Sequence, residues 1–127
     1  MKDVHLKNAI NKSQLELINN WQGEEEDRPS PEAWRRATDF LRNIGEWLEE
    51  NEPEYQFFPP RILPGPHGSV DLHWKLSARK VEMLINFPAS ENELSDCFGT
   101  DSHGVQLKRK LDGDKEYIAI ARWMRHA

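Results

Sequence analysis

A chain of 127 residues, 37% of them hydrophobic and 31% charged, can bury one hydrophobic core but is too polar for a bundle of membrane helices. No apolar run approaches the ~20 residues of a bilayer span, and a single cysteine, Cys97, excludes a disulfide within the chain. The net charge of −5 disfavours a phosphate-binding role, because nucleic-acid affinity is built largely from Lys and Arg contacts.

The charge is unevenly spread. Residues 1–58 hold 7 basic and 13 acidic side chains, a net of −6, whereas residues 59–127 hold 10 and 9, a net of +1. An acidic half favours a basic partner and speeds encounter with one. Met1 to Asn8 contain no apolar signal core, so the expected compartment is a reducing cytoplasm.

Residues 1–127 read as a single domain. Residues 1–12 are expected to fray. Ser13-Gln14-Leu15-Glu16 has the spacing of a capping box, which predicts a short helix ending near Asn19-Asn20. Residues 22–29 follow as an acidic loop, where the run Glu24-Glu25-Glu26-Asp27 predicts mobility through repulsion of like charges. Ser30-Pro31-Glu32 is a helix start, with an N-cap hydroxyl, a proline at the first helical position and an acid in the first turn. Two stripes follow at steps of three and four, Trp34-Ala37-Leu41-Ile44-Leu48 and Ala33-Ala37-Phe40-Ile44-Trp47. Together they form one wide apolar face, whose burial is worth on the order of 10 kcal/mol before entropy is subtracted. Pro53 ends this helix near Asn51.

Arg61 to Leu63 read as a short edge strand stopped by Pro64. The turn cluster Pro64-Gly65-Pro66-His67-Gly68 then opens a strand with Val70, Leu72, Trp74 and Leu76 on one face. Ser69, Asp71, His73 and Lys75 share its other face, and after a turn at Ser77 to Arg79 the alternation resumes with Val81, Met83, Ile85 and Phe87. Leu94 to Phe98 predict a further strand, with Cys97 half-exposed. Val105, Leu107, Arg109 and Leu111 predict the next, with Lys108 and Lys110 outward. Asp114 is the expected cap of a last helix carrying Tyr117, Ile120, Ala121 and Met124 inward. The fold class is therefore α+β: a two-layer domain with N-terminal helices and a C-terminal helix on one face of an antiparallel meander of three to five strands.

The marks Trp21-x-Gly23, Pro29-Ser30-Pro31-Glu32-Ala33 and Pro59-Pro60-x-Ile62-x-Pro64-x-Pro66-x-Gly68-Ser69-Val70-x-Leu72-x-Trp74 form a pattern that resembles one in small bacterial proteins. His67 stands where that pattern commonly has aspartate, and Gln22 departs from it in the same way. The resemblance covers most of residues 15–88 and consists of turn and cap residues, so it implies a fold and a bacterial source but no activity.

Candidate sites are weighed against simple structural roles. Trp21 with Glu24, Glu25, Glu26 and Asp27 is the candidate partner-binding surface, an aromatic anchor beside a carboxylate cluster. Asp71, His73 and Glu82 should share the outer sheet face, the residue types of a general base or a divalent-metal site. A metal needs more ligands than these, and an exposed polar face explains them as well. Cys97 with Asp101 and His103 has the residue types of a thiol nucleophile, without a flanking motif. Lys75, Arg79, Lys80 and Lys108-Arg109-Lys110 would form the basic stripe of an RNA-binding sheet, but the stacking aromatics of such sheets are missing from the pattern. No cofactor is implied. The expected function is a non-catalytic protein-binding domain, immunity-protein or antitoxin-like, engaging a basic partner surface. The alternatives are a small metal-dependent hydrolase on the outer sheet face and a sheet-face RNA-binding module.

Overall fold

The alternation from Val70 to Phe87 becomes the central hairpin of the sheet in the computed structural model, which describes residues 4–112 and 116–127. Strands β2 (Val70–Leu76) and β3 (Val81–Phe87) pair antiparallel with Trp74 opposite Met83 and Leu72 opposite Ile85. A 3-10 turn at Ser77–Arg79 joins them, and Lys80 closes it in the left-handed region at φ 58°. The edge strand β1 (Arg61–Pro64) pairs with β2, while β4 (Ser95–Thr100) and β5 (Gln106–Leu111) extend the other side. The strand order is β1-β2-β3-β4-β5, an uninterrupted meander.

Helices cover one face only. The 21-residue helix α2 (Pro31–Asn51) is capped by Ser30, whose Oγ accepts from the Ala33 N–H at 3.0 Å. It buries Ala33, Ala37, Phe40, Leu41, Ile44 and Leu48 against the inward row Val70, Leu72, Trp74, Met83, Ile85 and Phe87. Trp34 and Trp47 lie at the margin of this core. Helix α3 (Glu116–His126) adds Ile120, Ala121 and Met124. Its Trp123 ring lies on Gly99 so closely that a Cβ there would approach within 2.9 Å. The expected cap Asp114 lies outside the described residues. The α+β architecture is thus as the periodicity predicts.

Two expectations are corrected. The first helix, α1 (Val4–Gln14), begins well before Ser13, which lies inside it, and residues 4–12 are helical. Leu6 and Ile10, one helical turn apart, are buried in the common core. Their packing outweighs the local capping signal at Ser13. The chain then widens into a π-type turn, Leu15–Asn19, closed by the Asn20 N–H on the Leu15 carbonyl at 2.8 Å. The fourth strand starts at Ser95, and Cys97 is fully buried, not half-exposed.

Trp74 tests this arrangement. It is 3% exposed, its Nε1–H donates to the Phe58 carbonyl at 2.9 Å, and its ring meets Phe57 at 6.4 Å between centroids. Trp74→Ala should cost about 3–5 kcal/mol. His73→Ala, on the opposite face, should cost under about 1 kcal/mol. Urea denaturation of the two variants measures the ranking, and the reverse order would place the strand in the opposite register.

Candidate functional site

The acidic segment is built from its anchors outward. The Trp21 indole N–H donates to the Glu24 carbonyl at 2.8 Å, and its ring lies over Gly23, where a Cβ would come within 2.5 Å of the indole. Glu25–Asp27 form a 3-10 turn. Arg28 fastens its far end, donating to the Ile18 carbonyl at 2.7 Å and pairing with Glu25 at 3.3 Å. Trp21 therefore has a definite structural place, packed against the core and holding the turn that follows the first helical segment. Glu24, Glu25 and Glu26 are exposed, and Asp27 is half-buried. The repulsion that predicts a mobile loop is met by the side-chain hydrogen bonds of Trp21 and Arg28 and by the Arg28–Glu25 ion pair.

The outer sheet face is uncovered. Register places Arg61, His73, Leu84, Phe98 and Lys108 in one row across all five strands. Asp71, His73 and Glu82 all lie on this face but do not converge. His73 Nε2 is 3.7 Å from Glu82 Oε1, whereas Asp71 is drawn away by Asn86, whose Nδ2 donates to Asp71 Oδ1 at 2.7 Å and to Ser69 Oγ at 3.0 Å. Among the described residues no group of three His, Cys, Asp or Glu side chains could hold a metal ion. The Ser69 hydroxyl in turn donates to the Pro66 carbonyl at 2.7 Å. This network backs a groove of about 540 Å3 that also involves His67, Asp96 and Lys110. The Pro-Gly-Pro-His-Gly-Ser run signals a turn but not this network, because Asn86 joins it from the neighbouring strand.

Cys97, Asp101 and His103 do not form a nucleophilic site. Burial pushes the Cys97 thiol up to about 12, only partly offset by Arg109. The Asp101 carboxylate is engaged by the backbone N–H groups of His103 and Val105, both at 2.9 Å, which shape the β4–β5 turn. His103 is exposed.

The basic stripe is broken by its own register. Lys75 lies opposite Glu82, Lys110 pairs with Asp96 at 2.5 Å, and Arg109 points to the helical side, bound to Glu116 at 2.8 Å. Phe98 is 43% exposed on the outer face, with Lys108 Nζ 5.8 Å from its ring centroid. Its outward direction is the counterpart of the burial of Cys97 on the opposite face, and its prominence comes from the absence of any covering helix.

Gly65 has an ordinary extended backbone at φ −97°, yet a Cβ there would lie 2.2 Å from Ser69 Oγ. Gly65→Ala should therefore destabilise by about 1–3 kcal/mol through overpacking, read as a lowered denaturation midpoint. Cys97 should resist alkylation at pH 7–8 in the folded protein and react freely in denaturant. Its thiol ionises near 9.0 in its unperturbed state and near 12 when folded. The unfolded chain therefore binds fewer protons between those values, and stability is fully present below pH 9 and falls as pH rises toward 12. Tyr55, also raised by burial, acts in the same direction. Cys97→Ala should flatten part of that alkaline decline, which melts across pH 8–11 would reveal. No protein-family model, curated protein or solved structure matches this chain.

Proposed function

We propose that this chain is a non-catalytic protein-binding domain, of the immunity-protein or antitoxin kind, that covers a basic surface of its partner with the turn Glu24–Asp27. The observation that carries the reading is the fastening of that turn by Trp21, Gly23 and Arg28. Three exposed carboxylates held on a short 3-10 turn pay little ordering entropy on binding, unlike a floppy acidic tail. Acidic groups at a rim act mainly on encounter rate and partner choice, which suits recognition of a basic enzyme or nucleic-acid-binding surface. The negative excess of residues 1–58 extends the same field.

Affinity capture from native extract tests it. The tagged wild-type chain should retain a basic protein at near-stoichiometric yield. Glu24→Gln, Glu25→Gln and Glu26→Gln together should weaken that capture about tenfold or more at low salt while leaving the melting temperature unchanged. Trp21→Ala should weaken it too, by loosening the turn. Recovery of no partner, or of one retained equally by the triple variant, overturns the assignment.

A further inference from the structure

The two edges of the sheet differ. Strand β1 is four residues long and ends in Pro64, which has no N–H to offer. Strand β5 has six residues, and Gln106, Lys108, Arg109 and Lys110 are all exposed. Its register with β4 is continued by the Asp101 N–H on the Val105 carbonyl at 3.0 Å. Residue 105 therefore points its backbone groups toward β4, and in an antiparallel ladder so do 107, 109 and 111. The N–H and C=O groups of Gln106, Lys108 and Lys110 point the other way, to the open edge. Among the described residues nothing pairs with them.

A second copy of the chain is a poor occupant. Registers pairing most of β5 with its own copy in antiparallel fashion centre on residue 108 or 109, since opposed residues must share a face. The first sets Lys108 against itself. The second sets Lys108 against Lys110 and Arg109 against itself. Like charges directly opposite destabilise a pair, so the Lys108-Arg109-Lys110 run blocks self-association. The same run selects a partner of opposite sign. On the outer face Lys108 and Lys110 would meet carboxylates two residues apart. On the helical face Leu107 and Leu111, half-buried at the margin of the core, would meet apolar side chains.

We propose that β5 is a docking edge for an extended acidic segment of a partner protein, with carboxylates alternating with apolar residues, which adds to the sheet as a sixth strand. Backbone hydrogen bonds to residues 106, 108 and 110 supply the pairing, and the lysines supply the selection. This edge lies across the sheet from the Glu24–Asp27 turn, which neighbours the β1–β2 connection, and does not depend on it.

The probe is a synthetic peptide of about nine residues, long enough for one strand, alternating glutamate and valine, beside its lysine-for-glutamate counterpart. Titration into the full chain, followed by amide hydrogen exchange, should slow exchange at Gln106, Lys108 and Lys110. The glutamate peptide should bind about tenfold or more tightly than the lysine peptide, the order expected of two or three cross-strand charge pairs. Lys108→Pro removes an N–H that points away from β4 and should abolish the protection. Lys108→Glu, which leaves the backbone intact, should erase the preference for the acidic peptide. Glu24→Gln, Glu25→Gln and Glu26→Gln should change none of this, which separates failure here from failure of the acidic turn. Equal binding of the two peptides, protection elsewhere than at these three amides, or dimerisation of the free chain would overturn the inference.

Discussion

Ser30 is the knot on which the two layers depend. Its hydroxyl caps α2 through the Ala33 N–H and donates to the Ala89 carbonyl at 2.8 Å. Its own N–H donates to the Gly68 carbonyl at 2.9 Å. One residue thereby ties the start of the long helix to the turn before β2 and to the connection after β3. Gly68 is held at φ 82°, and a Cβ there would approach the Arg28 carbonyl at 3.1 Å, so the close approach demands glycine on both grounds. One turn along the helix, Arg36 donates to the carbonyls of Pro88, Ser90 and Glu93. A single guanidinium gathers the whole β3–β4 connection beneath the helix. Apolar burial drives the layers together, but these polar ties fix where α2 sits along the hairpin.

That knot explains why the fold was largely legible and the site was not. Ser30-Pro31-Glu32 and the Val70–Phe87 alternation are local signals, with helix and strand periods written over many residues, and both elements form where they indicate. The alternation in the last strand likewise puts Leu107 and Leu111 inward, whereas the facing of Phe98 and Cys97 on the strand before it is settled only by the structure, which buries Cys97 and leaves Phe98 outward. Failures occur where long-range packing overrides a local pattern. The Ser13 capping box is a valid local signal, but Leu6 and Ile10 gain more from the core than Ser13 gains from capping. Trp21 follows the first helical segment and anchors the turn after it, but its contacts with the Gly23 backbone and the Glu24 carbonyl offer no side-chain complementarity to read, so its packing against the core is seen only in the structure. Asp71, His73 and Glu82 were correctly placed on one face, yet only coordinates show Asn86 turning Asp71 away from the imidazole.

Covering one face of a sheet has a chemical consequence. The uncovered face must be made compatible with water, and here that is done by interleaving charges rather than by removing apolar residues. Lys75 opposite Glu82 and Asp96 against Lys110 cancel locally, and His73 lies beside Glu82, leaving Leu84 and Phe98 among them. Local cancellation suppresses the broad positive field that a nucleic-acid platform needs, although single lysines remain well exposed. It also limits metal chemistry, since each carboxylate has a competing partner on the same face.

The densest runs of like charge lie at the margins, and their placement follows from chain order. The acidic turn precedes α2 and is carried to the connection where β1 ends and β2 begins, while the Lys108-Arg109-Lys110 run falls on the last strand of the meander. A meander places the first and last strands at opposite edges by construction, so the acidic turn, packed on the β1–β2 connection, and the lysines of β5 fall toward different edges of one small domain. A uniform distribution of the same side chains would have kept the protein equally charged, without setting a carboxylate cluster and a lysine-bearing strand edge apart on its surface.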